Sequence, residues 1–167
     1  MTAPKLEPGY NLVTYAQGQL QPIADEIGQD AEELAWTYVQ AISAEPRITL
    51  QPREEGETET HKEYVLTLIT GVHSLLVAVD THPGDNWTAD VAMTSTAFGH
   101  SLDPSSLRLS GAESEGTIHP SLVVHSADVT LGFYGPGLTF GVSGQSWYRT
   151  LGKHTQDFTF EDLFSLQ

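Results

Sequence analysis

Apolar residues recur at every fourth position in one stretch near the start of the chain. Leu34, Tyr38 and Ile42 follow this spacing, which places their side chains on one face of a helix. Asp30 begins a capping-box-like sequence just before them. The pattern predicts an amphipathic helix over 31–43.

The residues before this helix give a less regular pattern. Pro22 is a typical first residue of a helix and Gly28 a typical stop, so the sequence predicts a second, shorter helix over 22–28. Residues 10–20 fit a helix and an extended segment equally well, and the sequence leaves both open.

Alternation of apolar and polar residues dominates from about residue 46 onward. Residues 129–134 and 138–143 alternate on either side of Gly135-Pro136-Gly137, which predicts a β-hairpin. A strand is predicted at 74–80, where consecutive apolar residues at 75–79 are typical of a central strand covered on both faces. Further strands are predicted at 64–70, 87–94, 107–109 and 146–151. Loops are predicted at 101–106 and 143–145, and one helical turn at 160–164.

These elements predict an α+β fold in a single domain, 1–167. A helical segment, 1–45, precedes a β-rich part, 46–167. The connections are too short for crossover helices, so the sheet is expected to be mainly antiparallel. About eight strands are expected, arranged as a sandwich or a partly closed barrel.

The charge of the chain narrows its possible partners. The 167 residues include 22 Asp and Glu against seven Lys and Arg, giving a net charge of −15. Scattered single cations cannot neutralise a row of phosphates, so nucleic acid and anionic membrane surfaces are not expected partners. No export signal or long apolar run is visible, and a cytoplasmic, soluble protein is expected. The absence of cysteine excludes disulfides, thiolate metal sites and a cysteine nucleophile.

Glutamates cluster in a polar loop at 52–61. Like charges at this density favour a solvated, extended segment. We interpret the loop as a docking element for a protein partner. Its candidate binding residues are Glu54, Glu55, Glu57 and Glu59.

Histidine and aspartate residues suggest an alternative, a metal site. Asp80 and His82 lie two positions apart at the end of a predicted strand, and His119 and His125 lie six apart, on the same face of an extended segment. Imidazoles and a carboxylate on neighbouring strands would suit zinc or non-haem iron. The corresponding function is a small metal-dependent enzyme or a ligand-binding β-barrel.

Seven histidines equal the number of Lys and Arg together. Protonation of all seven would change the formal charge from −15 to −8. Because unperturbed histidine titrates near pH ~6.5, assembly and solubility are expected to differ between about pH 7.5 and about pH 5.5.

Motifs for catalysis and cofactor binding are absent. The sequence contains no P-loop, no dinucleotide-binding glycine pattern and no Gly-x-Ser-x-Gly elbow. Five aromatic residues could line a pocket for a sugar or a base, but at helix and strand positions we interpret them as core: Trp36, Trp87, Tyr134, Trp147 and Tyr148.

We therefore expect a non-catalytic acidic protein without a cofactor that acts through protein–protein association. It would be an assembly subunit or a binding regulator, and its partner could be a second copy. Besides the metal-site alternative, an acidic inhibitor or a DNA mimic acting on a basic partner fits the composition.

Overall fold

The computed structural model describes residues 8–54, 56–149 and 153–166. Helix α1 spans Pro8–Ile27 and helix α2 spans Ala31–Ser43. The predicted helix 31–43 is therefore confirmed. The side chain of Asp30 caps it by accepting a hydrogen bond from the backbone N–H of Glu32 at 3.2 Å.

Helix α1 differs from the prediction, because a single helix includes 10–20 and residues 22–27 of the predicted 22–28 helix. Pro22 lies inside it rather than at its start, and Gly28, with φ +71°, follows its end. An internal proline costs a helix about 3 kcal/mol. A continuous buried stripe offsets that cost: Leu12, Val13, Ala16, Leu20, Ile23 and Ala24.

Nine strands follow in the described residues and form two antiparallel sheets. In each sheet, strands that are consecutive in sequence are also neighbours in space. Sheet A has five strands: β1 Thr49–Arg53, β2 His61–Ile69, β3 His73–His82, β4 Thr88–Ala97 and β5 His100–Ser110. Sheet B has four: β6 Glu115–Ile118, β7 His125–Tyr134, β8 Thr139–Arg149 and β9 Lys153–Phe160.

The inner faces of the two sheets share one hydrophobic core. Alternating residues of the strands are buried there, among them Val77 and Val91 from sheet A and Leu131 from sheet B. Aromatic rings connect the sheets: Trp87 lies 5.3 Å from Phe133 between ring centroids. No strand pairing joins the sheets in the described residues, so they do not close into a barrel.

The two helices pack against one end of the sheets and form a second core there. This helical core includes residues from strand ends and turns, such as Val72 and Val124. The buried hydroxyl of Tyr38 lies 2.5 Å from the backbone oxygen of Arg149 and 3.1 Å from that of Val124. Helix α2 is thereby fixed to sheet B.

Three predicted elements were wrong. Residues 101–106 belong to strand β5, an edge strand whose exposure explains its polar composition. Residues 143–145 lie within β8, where a Cβ on Gly144 would come 1.9 Å from the backbone oxygen of Asp128, so the glycine marks a close approach rather than a turn. The predicted helical turn at 160–164 does not form: Phe160 ends β9, Asp162 has φ +55°, and the N–H of Leu163 bonds to the oxygen of Phe140 at 3.0 Å.

Candidate interaction surfaces

The four candidate metal ligands lie in three separate places: three of them are at the surface, on two different parts of it, and one is in the interior. Residues of a strand point alternately to opposite faces. In β3 the buried positions are odd-numbered, so Asp80 and His82 point outward from sheet A. His119 is exposed at the end of β6, whereas His125 is fully buried at the start of β7.

Each of the three exposed residues has a different ionic partner. Asp80 pairs with His61 at 2.6 Å, and His82 lies 3.4 Å from Asp90. His119 contacts Asp128. The part of the chain that the structure describes contains no group of three or more His, Cys, Asp or Glu residues that could hold a metal ion.

His125 instead forms a buried pair with His73, at the junction of the two cores. The two Nδ1 atoms are 2.7 Å apart, and Nε2 of His125 lies 2.6 Å from the Ser146 hydroxyl. Nε2 of His73 is buried without a hydrogen-bond partner among the described residues. Burial lowers the pKa of His73 to about 4. Burial, and then the charge of His73, lower the pKa of His125 to about 3.

The acidic loop is exposed at the other end of the sheets. Glu54 and Glu59 are exposed, while Glu57 forms an ion pair with Lys62 at 2.7 Å. Glu55 lies outside the described residues. Three of the four predicted docking residues are thus placed near the β1–β2 connection, and one of them is already neutralised.

Next to this loop, the outer face of sheet A carries a row of ion pairs. His61 contacts a carboxylate at each ring nitrogen, Asp80 at Nδ1 and Glu63 at Nε2, 2.9 Å away. These two hydrogen bonds, that to Asp80 first, raise the pKa of His61 above 6.5. At the edges, Arg53 lies 3.7 Å from Glu63, and Arg108 lies 3.1 Å from an Asp90 oxygen.

Beyond these ion pairs, the outer face of sheet A has no charged residue. Its centre is aliphatic: Val65 on β2 is opposite Leu76 on β3, and Ala78 is opposite Ala92 on β4. The other residues are neutral and mostly small: Thr49, Gln51, Thr67, Ser74, Thr94, Thr96, Ser101, Pro104 and Ser106. We call this whole set the neutral face.

Neither helix covers the neutral face, because both pack at the end of the sheets. The consecutive apolar residues of β3 predicted a central strand covered on both faces. The central position is confirmed, since β3 is third of five strands. Its outer side chains Leu76 and Ala78, however, are only half-buried.

Comparison with known proteins found no protein that is similar to this chain. No family model matches the chain, and no curated protein or solved structure is significantly similar to it. Among the described residues, neither helix combines the length and the apolar character needed to cross a membrane.

Proposed function

We propose that this chain is a non-catalytic protein that acts by association, and that its neutral face binds the same face of a second copy. The observation that carries the proposal is the composition of this face. In a chain with a net charge of −15, the neutral face has an aliphatic centre and no ionised group. An assembly subunit needs such a surface.

Electrostatics restricts where two copies can approach each other. Two strongly acidic molecules repel, and this repulsion is weakest where the opposing surfaces are uncharged. The adjoining row of ion pairs is nearly neutral, because Glu63, Asp80 and Asp90 each have a cationic or imidazole partner within 4 Å. The neutral face and this row together form a surface that can be buried at low electrostatic cost.

Together, the neutral face and the row of ion pairs are large enough for a weak dimer. They cover the outward side of sheet A, whose five strands average nine residues. At about 4.8 Å between strands and about 3.4 Å per residue, this side measures roughly 700 Å² per copy, so two copies would bury at most roughly 1,400 Å², within the range of specific interfaces. We therefore expect a concentration-dependent dimer with a dissociation constant on the order of micromolar.

The test is the molar mass in solution, by light scattering and sedimentation from micromolar to millimolar concentration. The wild-type chain is expected to approach twice its mass of 18.2 kDa. Leu76→Glu introduces a charge at the centre of the neutral face and should leave a monomer throughout this range. Thr130→Glu is the matched control: it adds the same charge at a half-buried outward position of β7 in sheet B, and should leave the dimer intact.

Two results would refute the proposal. One is a wild-type chain that stays monomeric at every concentration. The other is a dimer that Leu76→Glu and Thr130→Glu weaken equally, because overall charge rather than the neutral face would then explain the change. Thermal unfolding of both variants shows that each has folded.

A further inference from the structure

A cleft on the outer face of sheet B lies away from the neutral face. Its volume is about 460 Å³, within the range of small-ligand sites. The residues that define it, which we call the Tyr134 cleft, are Tyr134, Gly141, Ser143, Thr159, Glu161 and Asp162.

Two glycines on neighbouring strands leave space for the ring of Tyr134 to lie against the sheet. Gly132 on β7 pairs directly with Gly141 on β8. A Cβ on Gly141 would lie 3.3 Å from the backbone oxygen of Phe160 and 3.4 Å from the ring of Tyr134. A Cβ on Gly132 would come within 2.8 Å of the Tyr134 hydroxyl. The absence of side chains at these two positions therefore leaves room for the ring to lie against the backbone of the sheet.

The ring of Tyr134 is fixed but accessible. Its hydroxyl donates a hydrogen bond to Oε2 of Glu115 at 2.9 Å. Despite this hydrogen bond, Tyr134 remains 40% exposed to solvent in the cleft. An aromatic ring held in one orientation and open to solvent is a preorganised surface for stacking.

The remaining groups of the cleft select the ligand by charge. No lysine or arginine lines it, and Glu161 and Asp162 are carboxylates, so anionic ligands are repelled. The hydroxyls of Ser143 and Thr159 donate and accept hydrogen bonds, and the two carboxylates accept them. A ligand that uses all these groups has an apolar face and several hydroxyls.

We propose that the Tyr134 cleft binds an uncharged saccharide, with one sugar face stacked on the Tyr134 ring and its hydroxyls bonded to Ser143, Thr159 and the carboxylates. The inference is independent of dimerisation, because it concerns the other sheet. This binding site is separate from the neutral face, and no motif in the sequence indicates it.

The test is calorimetric titration of the full chain with cellohexaose, xylohexaose, maltohexaose and mannohexaose, and with tetramethylammonium as a cationic probe. At least one uncharged hexasaccharide should bind, and Tyr134→Ala should weaken it by about tenfold or more. Tyr15→Ala is the matched control: Tyr15 is also 40% exposed but lies on helix α1, and its loss should leave binding unchanged. Binding of no saccharide up to about 10 mM, equal effects of the two variants, or preference for tetramethylammonium would overturn the proposal.

A second variant separates loss of the cleft from loss of the fold. Gly141→Ala adds a methyl group in tight contact with the ring and with Phe160, and should weaken saccharide binding while the chain remains folded by circular dichroism. Unchanged affinity in a folded Gly141→Ala chain would place the ligand elsewhere. Because Leu76→Glu lies on sheet A, a monomeric Leu76→Glu chain should keep its saccharide affinity, so each proposal can fail alone.

Discussion

Two histidine sites in this molecule favour opposite protonation states of the imidazole ring. The pair His73–His125 is buried at the junction of the two cores, where burial lowers both pKa values below 6.5. His61 lies on the outer face of sheet A between two carboxylates, which raise its pKa. The first site is stable with neutral rings, and the second is stabilised by a charged ring.

The difference follows from the position of each histidine in its strand. His73 occupies an inward position of β3, and Asp80, seven residues later, an outward position where it meets His61. A shift by one position would move the His73 ring from the core to the outer face of sheet A. Strand position thus decides whether protonation stabilises or destabilises the fold, and each prediction below tests one side of this contrast.

The largest expected effect is loss of stability in acid. The unfolded chain protonates its histidines near pH ~6.5, whereas folded His73 and His125 do so only at about 4 and about 3. Between these values the unfolded state binds more protons, so the free energy of unfolding falls as pH falls. The slope is about 1.4 kcal/mol per pH unit for each proton taken up.

Urea unfolding at about pH 7, 6, 5 and 4.5 measures this slope, since the range lies between the unfolded and folded histidine pKa values. A variant with both His73→Leu and His125→Leu is the control, and its stability should vary less over the same range. Equal slopes in the two proteins would show that other groups, such as the carboxylates, cause the acid sensitivity.

An intermediate effect is expected from Ser146→Ala. The change removes the hydroxyl that lies 2.6 Å from Nε2 of His125 and leaves a buried ring nitrogen without its partner. Such a loss costs about 1–3 kcal/mol at pH 7. Ser143→Ala on the outward face of the same strand should change stability by less than about 0.5 kcal/mol. Urea unfolding measures both effects. Equal effects of the two variants would show that the contact between Ser146 and His125 does not stabilise the fold.

Much of the fold could be predicted because local patterns determine it. The cap at Asp30 and the spacing of Leu34, Tyr38 and Ile42 were sufficient for helix α2. Only residues 107–109 of strand β5 were predicted, because the exposed residues 101–106 of this edge strand show no apolar alternation. Gly144 was misread because a glycine in a strand and a glycine in a turn look alike in sequence. Only the approach of the Asp128 backbone distinguishes them.

The candidate sites were less predictable because they depend on pairing between distant segments. His73 and His125 are 52 residues apart, and nothing in the sequence indicates that their Nδ1 atoms meet. Burial of the pair also changes the charge expected in mild acid. Because burial keeps these two of the seven histidines neutral in mild acid, the formal charge does not reach the −8 that protonation of all seven would give.

The smallest effect is expected from His61→Gln, and its pH dependence has the opposite sign. Because the folded pKa of His61 is raised, its contribution is fully present below pH ~6.5 and is lost as pH rises through the folded value. Exposed ion pairs contribute about 0–1 kcal/mol, so the variant should be slightly less stable at about pH 6 and equal to wild type at about pH 9. Urea unfolding at both values measures the difference, and an NMR titration of the ring protons should show His61 titrating above pH ~6.5. A variant that loses more stability at high pH than at low pH would contradict the contrast between the two histidine sites, because it would make His61 a neutral structural ring like the buried pair.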